Sequence, residues 1–286
     1  MEHRELWKKV FCDTDKYIDF YFKEKAKKSI VYSKHENNAL ASMAFFTPYP
    51  VMYRGKKCIC PYIVGVATRE ESRHKGYMTL LLKQGLMDCK RSGVKLAFLC
   101  PADERIYLPF GFHGVYYRRR LEVLGNKEKW FGALSFSRLE PEIRKKAAEF
   151  ANAQLYMSDL DLYMCRSTKY YEVLHKEMKA LGGKVIVLRD GGFIKAVVSY
   201  TREEDTYEVT EVICDPEDGK EVLQSICAYL GETETRKVVF SDGYFLEKVT
   251  GPGICIRQME KPYIMARALD GEEDLSGLKV YINDIT

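Results

Sequence analysis

No CxxC pair occurs among the nine cysteines, and no HxxxH or HExxH spacing among the five histidines. The first absence argues against a four-thiolate metal site, and the odd, scattered set of thiols argues against a disulfide framework. The second absence removes the two-histidine zinc arrangement. No metal is therefore expected, and reduced thiols point to the cytoplasm. Long apolar runs are also missing. The longest such stretch, ALASMAFFTPYPVMY, is short of a bilayer span and is cut by Pro48 and Pro50. MEHRELWKK opens with charges, so neither a membrane segment nor a signal peptide is read. The net charge is only +4 over 286 residues, with both signs interspersed, which argues against a dedicated nucleic-acid binder. No low-complexity segment stands out.

What remains is the composition of an ordinary globular chain, 46% apolar and 30% charged, long enough for two cores. The stretch from Glu5 to Lys27 reads as one or two helices, with Tyr17, Phe20, Tyr21 and Ala26 near one face. SIVYSK, ALASMAFF and KKCICPYIVGVAT read as strands separated by the polar turns HENN and RGKK. A helix follows from about Gly76 to Arg91, its apolar stripe carried by Met78, Leu81, Leu82, Gly85 and Leu86, and KLAFLC is the next strand. The same order recurs later. TKYYEVLHKEMKALGG is a helix, KVIVLR and FIKAVVSYTR are strands joined by a glycine turn, TYEVTEVIC is a third strand, KEVLQSICAYLG a helix and KVVF a strand. The expectation is an α/β (α+β) chain of two such units, 1–125 and 126–286, with the boundary between 125 and 140, ahead of the helix that Pro141 opens.

The two strand-to-helix junctions differ in charge. The first reads TREESRHKGYMT and the second CDPEDGKE. A helix N-terminus offers unpaired amides and the positive end of its dipole. Gly76 lets the backbone approach a ligand, and Arg73, His74 and Lys75 add positive charge suited to a diphosphate. The strand IVGVAT before it can take an extended amide-bearing arm by strand addition. A ligand with a diphosphate at one end and peptide-like amides at the other has the shape of coenzyme A. At the second junction a polyanion meets like charge.

RHKGYM resembles the RxxGxG/A signature of the GNAT acyltransferases, with Arg73 and Gly76 matching and Met78 in place of the last small residue. PADERIYLPFGF is similar to the stretch in the enhanced-intracellular-survival branch where an IY pair precedes an FGF or FGY triplet. The likeness is specific over residues 60–115 and architectural elsewhere. It implies two fused GNAT-like units, each a mostly antiparallel twisted sheet flanked by helices, with the second degenerate. Only about sixteen residues follow Asp270, too few for that branch's third, sterol-carrier-like module.

The resemblance also implies roles. Val66, Ala67 and Thr68 lie along the pantetheine arm, and His74, Lys75, Gly76, Tyr77, Met78 and Thr79 cradle the diphosphate beside Arg73. Ala102 and Asp103 begin the segment flanking the thioester. Tyr107 gives its proton to the departing thiolate, and the Thr286 carboxylate, ending the strand-like LKVYINDIT, takes the proton of the amine. The cosubstrate is then acetyl-CoA and the acceptor a small-molecule or lysine amine, aminoglycosides and polyamines included. The branch allows a homo-oligomer.

Plainer readings stand beside these. A basic loop before a helix is by itself a solvated turn, and a lone tyrosine is a packing aromatic. The preceding strand, the following helix and IYLPFGF together favour the functional reading. Cys58 and Cys60 share a strand face and read as two buried thiols. His113 reads as a structural or solvated histidine and the arginines at 118–120 as a solvated strand end. A non-catalytic acyl-CoA or partner-binding module on the same scaffold is the alternative to an enzyme.

Overall fold

The computed structural model describes residues 2–123, 128–231, 237–251, 253–271 and 273–283. The first part of the chain forms α1 (Glu2–Phe11), α2 (Asp15–Phe20), β1 (Ile30–Glu36), β2 (Ala39–Tyr53), β3 (Lys56–Thr68), α3 (Tyr77–Arg91), β4 (Leu96–Leu99) and β5 (His113–Tyr116). Then come β6 (Arg119–Val123), β7 (Gly132–Ser135), α4 (Pro141–Met157), β8 (Leu162–Met164), α5 (Thr168–Ala180), β9 (Lys184–Asp190), β10 (Phe193–Glu203) and β11 (Thr206–Cys214). The last elements are α6 (Gly219–Leu230), β12 (Lys237–Phe240), β13 (Ile254–Gln258), β14 (Ile264–Ala268) and β15 (Val280–Tyr281). Among the described residues no helix is long and apolar enough to cross a membrane.

These elements sort into two compact units whose segments interleave. The first holds the chain up to Tyr116, the short segment Asp161–Met164 and the chain from Lys261 onward; the second holds Tyr117–Leu160 and Cys165–Glu260. Each unit is a mixed sheet with helices, the α/β class expected. Residues 124–127, where one end of the expected boundary region falls, lie outside the described residues, and so does Thr286.

The first sheet runs β15-β8-β2-β3-β4-β14-β5, with β1 also on β2. Its β2–β3 hairpin turns at Arg54 and Gly55, both at positive φ, and the β1–β2 hairpin turns at Asn37 and Asn38, likewise both positive. Two consecutive left-handed residues make the tight turn whose twist matches the flanking strands. The strand expected to stop at Phe46 continues to Tyr53, past two prolines. Along one edge β2 pairs with β1 as far as Phe46 and with β8 only from Val51, so Pro48 and Pro50 sit where that ladder is interrupted. A residue without an N–H is tolerated at such a gap.

The helix α3 packs its Leu81, Leu82 and Leu86 face into a cluster with Ala44, Phe46, Ile63, Ala97 and Leu99. The close approach is made at Gly85, where an added Cβ falls inside the Phe46 ring. In the second unit the sheet runs β13-β6-β12-β11-β10-β9-β7. Its β9–β10 hairpin turns on Gly191 and Gly192, as read from the sequence, since Asp190 pairs with Phe193. Both sheets contain a parallel pair on either side of a crossover helix, β3 with β4 and β11 with β12.

An alanine in place of a mid-helix glycine ordinarily stabilises by up to about 1 kcal/mol. At Gly85 the buried Phe46 ring occupies the space, so Gly85→Ala is expected to destabilise the protein by about 1–2 kcal/mol, overpacking outweighing propensity. Denaturant unfolding of the two proteins measures the sign.

Candidate active site

The parallel pairing of β3 with β4 is brief. Tyr62 pairs with Phe98 and Ile63 with Leu99, and there it ends, while β3 runs on to Thr68 against β2. From Val64 onward the β4-side edge of β3 has no partner strand among the described residues. Within this stretch the register on β2 slips: Phe45 faces Val64 but Met43 faces Ala67, so Gly65 and Val66 bulge opposite Ala44. Gly65 lies at φ 61°, and a Cβ there runs into the Trp7 ring. The bulge thus needs glycine twice over, for its left-handed backbone and for the indole of α1 against it. The Ser42 hydroxyl donates to the Ala67 carbonyl at 3.0 Å and shares a hydrogen bond with the Thr68 hydroxyl at 2.9 Å.

The loop from Arg69 to Gly76 is tethered at both ends. Arg69 binds β2 twice beside the bulged Ala41: its backbone N–H donates to Ala41 O at 2.8 Å and its Nε–H to Leu40 O. At the far end, Glu36 accepts from Ser72 Oγ at 2.8 Å, from Lys75 Nζ at 2.8 and 2.9 Å and from Tyr77 Oη at 3.1 Å. These donors hold the Glu36 carboxyl below the usual carboxylate range, the Lys75 bond foremost, and the same bond holds the Lys75 ammonium above its usual value.

Between the tethers, His74 sits at φ 63° and Gly76 at φ 77°, ψ 8°. A Cβ on Gly76 meets nothing within 4 Å, so this backbone faces open space. The first bond within α3 runs from Leu80 N–H to Gly76 O at 3.0 Å, and no side chain caps the helix. The amides of Tyr77, Met78 and Thr79 therefore remain outside the helical ladder. A left-handed residue followed by a helical one turns successive amides into a common concavity, an anion nest at the positive end of the helix. Arg73 and His74 are exposed and carry no ion pair among the described residues.

Tyr107 stands between two short turns, Glu104–Ile106 and Leu108–Phe110. It is buried in the same apolar cluster as Leu82, Phe110 and Phe112, against which the half-buried Val66 and Met78 also pack. Three of the residues singled out from the sequence, on β3, α3 and the segment after β4, thus belong to or border one apolar cluster. Burial, with a smaller contribution from the Cys100 thiol, pushes the Tyr107 phenol up to about 12. It is a protonated group at neutral pH. Asp103 is elsewhere engaged: its carboxylate caps the turn at the Arg105 N–H and forms a 2.5 Å ion pair with the Arg105 guanidinium, which brings it down to about 2. Ala102 is exposed, and both residues border a surface pocket with Lys261 and Pro262.

Cys58 and Cys60 have their sulfurs 3.7 Å apart, but only Cys60 is buried, with its thiol pushed well above the usual value by burial; Cys58 is half-buried because it lies nearer the exposed start of β3. Among the described residues no group of three potential ligands is placed to hold a metal ion. In the second unit, β11 likewise leaves β12 after Val209 and continues to Cys214. There the junction is held by its own carboxylates: Asp215 caps the Glu217 amide, Asp218 pairs with Lys195 at 3.0 Å and Glu217 with Lys248.

Residues the sequence reading passed over are Trp7, Gly65 and Glu36. An isolated glycine inside an apolar strand was the available sign of the bulge; Glu36 lies in a turn that read as merely polar.

Residues 2–115 match the family model described as an acetyltransferase (GNAT) domain. No curated protein matches the chain. Among solved structures, a conserved protein of unknown function from Enterococcus faecalis, described as a probable N-acyltransferase, aligns with TM-score 0.73 and 17% identity over 94% of this chain and 70% of its own. Eis1 from Mycobacterium abscessus aligns with TM-score 0.63 and 12% identity over 94% of this chain and 70% of its own. The N-myristoyltransferase of Saccharomyces cerevisiae, solved with bound myristoyl-CoA, aligns with TM-score 0.52 and 13% identity over 81% of this chain and 68% of its own. At these identities the structural likeness establishes the fold alone, and it is the domain match that supports an acyltransferase.

Because Gly76 combines a left-handed backbone with open space around its α-carbon, substitution there tests conformation without a clash. Gly76→Ala is expected to cost about 1 kcal/mol and Gly76→Asn less, since asparagine tolerates the left-handed region. Thermal or denaturant melts of the three proteins read the ranking.

Proposed function

We propose that this protein is an N-acetyltransferase that carries an acetyl group from acetyl-CoA to a primary amine by direct attack in a ternary complex. The observation that carries the reading is continuity: an unpartnered strand edge from Val64 to Thr68 leads through a tethered loop to an uncapped helix N-terminus. An extended pantetheine adds to the edge beside Val66, Ala67 and Thr68. Its diphosphate seats on the amides from His74 to Thr79, with the unpaired Arg73 guanidinium and the His74 imidazole nearby. The thioester then falls beside the cluster that Val66, Met78 and Tyr107 share, next to the segment that begins at Ala102 and Asp103.

In the reaction the amine nitrogen forms a bond to the acetyl carbon and the carbon–sulfur bond breaks. Tyr107 passes its proton to the leaving sulfur, and the amine's proton leaves to a base or to water. The Tyr107 phenol carries its proton at neutral pH, as a general acid must. The bulge at Gly65 and Val66 leaves amides outside the ladder on β3, positioned to steady the oxyanion of the tetrahedral intermediate. The acceptor belongs to the aminoglycoside, polyamine or lysine type, the site of action is the cytoplasm, and the second unit is a degenerate copy whose junction lacks the basic loop.

Tyr107→Phe keeps the packing and removes the proton donor. Release of free thiol from acetyl-CoA, followed with a panel of amines, is expected to show kcat falling by about a hundredfold or more, with KM for acetyl-CoA little changed. Binding without turnover in the wild type would instead identify a non-catalytic module. In the wild type, kcat is expected to show no alkaline loss from Tyr107 below about pH 10, since burial pushes its phenol up to about 12.

A further inference from the structure

β1 pairs only with β2 among the described residues. The period of a strand puts Tyr32, Lys34 and Glu36 on one side of it. That side faces α3. Tyr32 Oη donates to Asp88 Oδ2 at 3.1 Å in the last turns of the helix, Lys34 Nζ stands 5.7 Å over the Tyr77 ring at its start, and Glu36 reaches past the helix into the loop before it. The strand is a ruler laid along the helix, and Glu36 is its end mark.

We propose that Glu36 is a positioning residue for the anion-binding loop: its carboxylate gathers Ser72, Lys75 and Tyr77 so that the backbone amides at the start of α3 are set for a diphosphate before it arrives. This rests on the coenzyme A reading of the site. The electrostatics make the proposal sharp. A carboxylate beside a diphosphate seat repels the ligand, and it also occupies Lys75, one of the two fixed cations of the RHK run. If charge decided the matter, Glu36 would weaken binding. Its four hydrogen bonds instead join three points of the loop, which spares the ligand the entropy of ordering it. On this view Lys75 and Tyr77 serve the anion with their amides, their side chains being spent on Glu36, and the free positive charge comes from Arg73.

The sign of one substitution separates the two accounts. Calorimetric titration of the full chain with coenzyme A is expected to give a Kd raised about tenfold in Glu36→Ala, the scale of a lost charge-assisted bond. Glu36→Gln is expected to move the same way by less, because one amide oxygen still accepts from Ser72 or Tyr77. Melting curves establish that both variants fold. In the absence of ligand, hydrogen exchange at the amides of residues 74–79 is expected to quicken in Glu36→Ala. Binding as tight as wild type, or tighter, overturns the proposal, and so does unchanged exchange in that segment. Wild-type protein that binds no coenzyme A sinks the reading of the site itself, while the exchange measurement still judges the clamp.

Discussion

A strand that outlasts its partner governs this molecule. β3 and β4 pair at two positions and part, while β3 continues for five more residues on the support of β2 alone. Backbone N–H and C=O groups cannot be left without partners in a protected place, so an edge of this kind is answered by water or by a ligand with amides of its own. The length of the free edge is set from behind. The long β2 holds β3 in line as far as Thr68, and the bulge at Gly65 with Trp7 against it turns the strand at the point where the edge opens. A side chain in place of the glycine would take the space of the indole.

The helix that follows extends the same logic from uncharged to charged chemistry. Side-chain cations are an expensive way to hold a diphosphate, because each must be ordered as it binds and each attracts whatever carboxylate is near, as Lys75 does. Amides at a helix N-terminus are fixed in advance and cannot fold away. The molecule commits its loop to Arg69 at one end and Glu36 at the other and leaves the backbone between them facing out. The charge of RHK therefore overstates the free charge of the site.

Much of this was legible in the residues. Helix α3 was read to within a residue, because Leu81, Leu82, Gly85 and Leu86 keep the helical period between a glycine start and a Ser-Gly stop. The glycine turn at Asp190 to Phe193 and the strands on either side follow from local chemistry, and so does the contrast between the basic and acidic junctions. The extent of β2 did not, since Pro48 and Pro50 read as a stop; the gap between β1 and β8 that accommodates them arises only when the distant segment at Leu162 comes to the sheet. The same long-range pairing brings Asp161–Met164 and the chain beyond Lys261 into the first unit. Glu36 was invisible for a similar reason: a carboxylate in a turn acquires meaning from Ser72, Lys75 and Tyr77, which are some forty residues away and meet it only across the β1–α3 contact.

The second unit supplies an internal control for the argument from edges. Its β11 also leaves its parallel partner early and also precedes a crossover helix, so topology alone would grant it the same site. What differs is who answers the open groups. Cys214 points its thiol at the Phe245 carbonyl, Val249 and Leu246 pack over Gly219, and Asp215 takes the Glu217 amide ahead of α6. Side chains of the same unit thus close over this junction. In the first unit Gly76 keeps 4 Å of free space and no side chain caps α3. A shared topology thus yields one junction closed by side chains of its own unit and one whose backbone is left open, and the difference lies in a handful of residues at the strand-to-helix turn.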